Sequence, residues 1–304
     1  MGARHNLRDP GATGTATADF HTHTTRSDGV LEPAELARQA AAAGVRLLAI
    51  ADHDNLAGYR ELTAAGAAPL PTGLELVPAV EINAITRGLG LDVPDGEVHV
   101  LGIGVDPEDE AFEAALAEQR GARRERFFAC VSKLREIGLA VDSQVDELDL
   151  TGDDALGRPT IARALMAAGH AESVDDAFER ILGHGRPGHV PRTGLDPFAA
   201  VRAIRAAGGL ASVAHFAVAA SQVPLLRALQ DVGLDGLETH HRSFYEEQRA
   251  ETGEIARSLG LVETGGSDYH GDLGPYAETH AELVMPTWLV DGVRAAIEPA
   301  RIFR

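Results

Sequence analysis

The chain has 304 residues, 44% of them apolar and 5% aromatic, and a formal net charge of −19. That length fits one large α/β domain or a domain with an insertion. The charge repels polyphosphate at long range and excludes an extended nucleic-acid groove, while small phosphorylated substrates stay open where metal ions or local arginines supply positive charge.

Cys130 is the single cysteine, so neither an internal disulfide nor a thiolate zinc site can form. No apolar run has the character of a signal peptide or the length of a membrane span, which makes the cytoplasm the expected setting. Residues 1–16, rich in Gly, Ala and Thr, read as a flexible tail.

Ala18 to His23 then reads as a strand, and Pro33 opens a helix that Gly44 closes. Val45 to Ala51 is a buried strand running into Asp52-His53-Asp54, followed by a helix over about Leu56 to Ala65. Leu76 to Ile82 and Glu97 to Gly104 are further strands, carrying Glu81 and His99. The alternation predicts a parallel sheet with right-handed crossovers.

After Asp106 the pattern becomes helical and charged, with Arg120, Arg123, Arg124 and Arg126 close together. Two shorter helices and a Gly/His/Pro/Arg loop from Gly183 to Arg192 follow. The reading is a barrel over 17–106 and 195–304, with a helical insertion over 107–194 that caps the substrate; the competing reading makes these helices part of the barrel's outer ring. Strand and helix alternate again from Asp196, with strands ending near His215, Glu238-Thr239-His240-His241 and Ser267-Asp268-Tyr269-His270.

His21 and His23 stand two apart, and on a strand such residues share a face. Taken singly, each histidine reads as well as a hydrogen-bonded structural residue. The joint placement is what points to metal: His21, His23, His53, His99, His215 and His270 recur with Asp and Glu near strand ends, whereas His5, His170, His184, His189 and His280 scatter. In α/β barrels the C-terminal face assembles the active site. One catalytic zinc takes about three protein ligands, so this set predicts two or three ions sharing a bridging carboxylate. The mixture of nitrogen and oxygen donors suits Zn, Mn or Fe.

These motifs, Asp19-Phe20-His21-Thr22-His23 with Ser27-Asp28-Gly29, Ala51-Asp52-His53-Asp54, Glu81, His99 in Glu-Val-His-Val-Leu-Gly, His215 and Gly266-Ser267-Asp268-Tyr269-His270-Gly271, resemble in order those of the polymerase-and-histidinol-phosphatase (PHP) superfamily. The resemblance implies a distorted (β/α)7 barrel with a trinuclear metal site. It places His21, His23, Glu81 and Asp268 on one ion, Glu81, His99 and His215 on a second, and Asp28, His53 and His270 on a third. Asp52 and Asp54 would orient a ligand histidine, the alternative for Asp52 being a direct contact with a metal.

Gly157-Arg158-Pro159, the 185–191 loop and Gly236-Leu237-Glu238 are similar to PHP phosphoesterases that carry a helical insertion and act on nucleotides or short 5′-phosphorylated RNA. Phe216 after His215 and His240 are the visible departures from that pattern.

Arg158, Arg186 and Arg192 are the phosphate-binding candidates, because guanidinium forks match phosphate oxygens in pairs. His241 is the candidate to protonate the leaving oxygen. The Arg120–Arg126 cluster reads as a charged helix face balanced by Glu118 and Glu125.

The expected activity is hydrolysis of a phosphate ester by a hydroxide shared between two ions. The expected substrate is an AMP-like nucleotide or a short oligonucleotide, with no long nucleic acid and no membrane partner. Two alternatives stay open: a histidinol-phosphate type of metabolite phosphatase, and a non-catalytic metal-binding accessory domain. Oligomeric state is not readable from the sequence.

Overall fold

The computed structural model describes residues 16–87, 89, 96–148, 156–216, 220–271 and 274–304. Apart from Ala16, the expected tail lies outside the described residues. Seven strands follow in spatial order as in sequence: β1 (Ala18–Thr22), β2 (Leu47–Ile50), β3 (Glu75–Ile85), β4 (Glu97–Ile103), β5 (Leu210–Val213), β6 (Gly236–His241) and β7 (Val262–Gly266). The helices are α1 (Pro33–Ala42), α2 (Ala57–Thr63), α3 (Glu110–Glu136), α4 (Asp142–Asp146), α5 (Arg158–Ala167), α6 (Val174–Ala177), α7 (Pro197–Ala206), α8 (Val223–Gln230), α9 (Glu246–Leu259), α10 (Tyr276–Ala281) and α11 (Thr287–Ala296). A short π-helical turn, Phe178–Leu182, continues α6.

The last strand returns to the first. Asp268 N donates to His21 O at 2.8 Å and His23 N donates to Tyr269 O at 3.0 Å. Thr22 and Tyr269 form a parallel bridge. The fold is a distorted seven-stranded α/β barrel.

One strand departs from the expected parallel order. β4 pairs antiparallel with both β3 and β5, while the other pairings are parallel. The reason lies in the connection between β3 and β4. A parallel return needs a crossover of about a dozen residues or more, usually a helix, whereas an antiparallel one closes with a short loop; the Gly- and Asp-rich residues 86–96 offer no helical pattern. The reversal matters for function. β4 begins on the face where its neighbours end, so Glu97 and His99 join the C-terminal ends of β1, β2 and β3.

The helix ends are chemically marked. Asp109 accepts from Phe112 N at the start of α3 and Asp196 from Ala199 N at the start of α7, each at 2.8 Å. Caps of this kind are worth about 1 kcal/mol each. Pro33, Pro159, Pro197 and Pro224 occupy first-turn positions, where no helix hydrogen bond is lost.

The strands bury aliphatic side chains against α7 and α8 through Val80, Ile82, Val213, Ile204 and Leu229. A second layer joins Phe20, Val77 and Leu101 to Leu289 and Val293 of α11. Between β4 and β5 the described residues contain helices and no strand. Phe127, Leu134, Ile161, Leu165 and Leu182 of these helices form a buried cluster of their own.

Among the described residues no helix is long and apolar enough to cross a membrane.

Candidate metal centre and active site

At the strand ends the sequence motifs converge. Three groupings place donor atoms within 4.8 Å of one another: His21, His23, Glu81 and Asp268; Glu81, His99 and His215; and His23, Asp28, His53 and His270. All nine metal-ligand candidates read from the sequence are therefore brought to one place.

In the first grouping, His21 Nε2 stands 3.4 Å from both Glu81 Oε2 and Asp268 Oδ1, and His23 Nε2 stands 3.2 and 3.3 Å from the same atoms. Donors about 2.0–2.1 Å from a shared tetrahedral ion are roughly 3.3 Å apart. Glu81 turns its other oxygen to the second grouping, with Oε1 2.8 Å from His99 Nδ1 and 3.0 Å from His215 Nε2. In the third, Asp28 lies 3.1 Å from His270 Nε2 and 3.7 Å from His53 Nε2.

The fit to cations rests on unsatisfied atoms. His21 Nε2, His23 Nε2, Asp28 Oδ1, His53 Nδ1, Glu81 Oε2 and Asp268 Oδ1 are buried without a hydrogen-bond partner. Buried polar groups are otherwise almost always paired, and six that face one another fit divalent ions.

The electrostatics agree. Burial alone would raise the carboxyl pKa values of Glu81, Asp28 and Asp268. For Glu81 the charges of His99 and His21 overcome it, for Asp28 those of His53 and His270, and for Asp268 those of His270 and His21; all three end well below the carboxylate range. Burial would likewise lower His270, but Asp268 and Asp28 push it up to about 10.

The backbone is distorted where these groups sit. Asp54, His215 and Asp268 have φ of 55°, 27° and 49°, and they are the non-glycine residues with positive φ among those described. Such conformations cost about 1–3 kcal/mol each and collect at functional sites. A bulge in β6 between Glu238 and His240 turns both Glu238 and His241 toward the centre.

Surrounding polar groups hold the donor residues. Asp52 accepts from Thr24 N, Thr24 Oγ1 and Ser27 Oγ, each at 2.7 Å, and so anchors the turn that carries Asp28. Ser27 Oγ in turn lies 3.4 Å from His23 Nδ1. Asp52 thus supports His23 rather than its neighbour His53. Asp54 turns away to Arg123, which donates to its Oδ2 from Nε at 2.9 Å and Nη2 at 2.6 Å.

His241 Nδ1 accepts from Ser243 N at 3.2 Å, and its Nε2 points at Asp268 Oδ2 3.5 Å away. A backbone N–H can only donate, so the ring proton resides on Nε2, facing the centre. The His240 ring lies against Trp288, with Nδ1 2.8 Å from Thr239 Oγ1, and burial beside Arg249 and Arg257 pulls its pKa down to about 4.

The arginine expectation needs correction. Arg120, Arg123 and Arg126 are each only 7% exposed, so they are no solvated helix face. Their i, i+3, i+6 spacing puts them on one side of α3, and that side faces the barrel. Arg120 donates to Asp54 O, and Arg126 donates to Val190 O while its Nη2 has no partner.

Arg192 Nε stands 3.3 Å and Arg158 Nη2 3.9 Å from Glu97 Oε1. Burial and the neighbouring Arg123 pull Arg192 down to about 9; burial and Arg158 pull Arg126 down to about 10. Arg158 is stacked over Phe178 in the π-helical turn. Arg186 is exposed on the loop that follows and contributes no ion pair among the described residues. The patch touches the metal side through Asn83, which accepts from Arg123 and contacts His99 Nε2.

Comparison with known proteins places this geometry. No family model matches the chain. It is 32% identical over 283 residues to a 5′-3′ exoribonuclease of Haemophilus influenzae, covering 90% of this chain and 98% of the relative. It is 30% identical over 285 residues to a 3′,5′-nucleoside bisphosphate phosphatase of Chromobacterium violaceum, covering 90% and 95%. A crystal structure from Bifidobacterium adolescentis, assigned as a candidate metal-dependent phosphoesterase, superposes with a TM-score of 0.77 at 32% identity, over 92% of this chain and 96% of that one. With relatives matched over nearly their whole length and donor clusters suited to divalent ions, the chain belongs to the PHP family and is a metal-dependent phosphoesterase.

Proposed function

We propose that this phosphoesterase hydrolyses a phosphate ester of a nucleotide or of a short 5′-phosphorylated oligonucleotide, using two or three Mn, Zn or Fe ions. His21, His23, Glu81 and Asp268 hold one ion; Glu81, His99 and His215 a second; Asp28, His53 and His270 a third. The observation that carries the reading is the pairing of two features. One is a buried carboxylate, Glu81, shared between donor groupings. The other is a buried cluster of guanidinium groups next to it, with an unpaired nitrogen on Arg126.

Asp54 offsets Arg123 and Glu97 stands beside Arg192, which leaves Arg126 and Arg158 as an excess of positive charge that suits an anion. Bound divalent ions would neutralise phosphoryl oxygens and activate water at neutral pH. The chain's own groups do the rest. Arg158 and Arg192 hold a phosphate of the substrate, joined by Arg126. Arg186, exposed on its loop, adds a further phosphate contact, and the helices between β4 and β5 cover the bound nucleotide. His241 presents its Nε2 proton to the leaving oxygen.

The test is a phosphate-release screen of purified protein with added Mn, Zn or Fe. It covers AMP, 3′,5′-bisphosphonucleotides, short 5′-phosphorylated RNAs and histidinol phosphate. Release from the nucleotide or RNA substrates should exceed that from histidinol phosphate at least tenfold in kcat/KM, about 1.4 kcal/mol of transition-state preference. Equal or faster release from histidinol phosphate would replace this reading with the metabolite phosphatase.

A further inference from the structure

Glu238, in β6, is fully buried and belongs to none of the donor groupings. Its two oxygens have separate partners. Oε1 lies 3.2 Å from His21 Nδ1, and Oε2 accepts the backbone N–H of His215 at 2.5 Å.

A carboxylate only accepts, so His21 donates through Nδ1–H. That leaves the lone pair on Nε2, the atom facing Glu81 and Asp268 at 3.4 Å. The opposite tautomer would put a proton where a cation must bind. The second oxygen restrains His215 in its left-handed conformation, φ 27°, from which Nε2 reaches Glu81 Oε1 at 3.0 Å. One carboxylate therefore braces donors of two groupings, on the two sides of Glu81.

We infer that Glu238 is a positioning residue for metal binding, which sets the ligating tautomer of His21 and the backbone pose of His215, and so couples the first and second metal seats. The inference rests on the ligand assignment proposed above. It predicts a selective defect, because Asp28, His53 and His270 receive nothing from Glu238.

The experiment is titration of apoprotein with Co²⁺, followed by visible absorption and by elemental analysis after gel filtration, for wild type and Glu238→Gln. The amide keeps the size of the side chain but offers one acceptor for two donors. Loss of such a partner weakens metal affinity about 10–100-fold. That loss is expected at two seats, with an altered cobalt spectrum, while the remaining seat fills as in wild type. Turnover of the loaded variant should show a lower kcat with KM within about twofold.

If the amide variant does not fold by circular dichroism, Glu238→Asp is titrated instead. It keeps the charge but withdraws the oxygens by one methylene, and the same two seats should weaken. A folded variant with wild-type cobalt affinity and spectrum, and only a lower melting temperature, overturns the inference and leaves the ligand assignment standing. A wild type that takes up no cobalt overturns the ligand assignment itself.

Discussion

Arg123 places Nε and Nη2 on a single oxygen of Asp54, at 2.9 and 2.6 Å, and both side chains are shut off from solvent. The pair fastens α3 to the loop after β2, beside His53. Removing one member of a buried ion pair strands the other, at a cost of about 3–5 kcal/mol. Arg123→Met should lower the unfolding free energy by that order. Urea denaturation followed by circular dichroism measures it; a change below about 1 kcal/mol, the scale of an exposed pair, would refute the buried-pair account.

The seam between β7 and β1 is tight enough to be tested by one methyl group. A Cβ on Gly266 would lie 2.6 Å from the backbone nitrogen of His21 and closer still to its Cβ. Backbone cannot yield as a flexible side chain does. Gly266→Ala should destabilise by about 1–3 kcal/mol or more and displace His21 from Glu81. Thermal melting together with metal content checks both effects, and an alanine variant with unchanged melting and metal content would show that the seam is looser than described.

Asp19 and His280 predict a pH dependence of stability. Burial would lower His280, but the Asp19 carboxylate, 3.7 Å from its Nδ1, overcomes it and raises its pKa. A raised folded pKa means that the native state holds a proton the unfolded chain releases. The stabilisation is therefore complete below about pH 6.5, the unfolded value, and fades as pH rises through the folded value. The difference in urea midpoint between wild type and His280→Gln should be largest near pH 6 and shrink toward pH 9. A difference that grows with pH would reverse the assignment.

Much of the site was legible because its chemistry repeats at strand ends. His21, His23, His53, Glu81, His215, Asp268 and His270 each follow or end an apolar run, His99 stands at the start of one, and Asp28 follows across a short turn. Among the supporting groups Asp52 was legible, and Glu238 stood out only as part of Gly236-Leu237-Glu238, with no role attached. Asn83 looks like an ordinary strand residue until the register sets it opposite His99, and the role of Glu238 emerges only where the bulge turns it inward.

Arg120, Arg123 and Arg126 carried a usable signal in their spacing, but Glu118 and Glu125 between them masked which side was buried. His280 stands apart from the strand-end histidines in sequence, yet it is 2% exposed and closes on Asp19 and Ala16 O, a contact spanning 264 positions that no local pattern reveals. The reversal of β4 was readable from the connection before it, where strand alternation alone argued for the opposite direction.

Glu81 belongs to two of the donor groupings, and we propose that the metal ions assemble around it. The direct measurement is metal content by elemental analysis of wild type and Glu81→Gln, purified identically and loaded with Mn²⁺. Wild type should carry roughly two to three equivalents, and the variant should lose at least one of them, together with its phosphate release, while its circular dichroism stays unchanged. A Glu81→Gln protein that retains the full wild-type metal content and turnover would contradict the account.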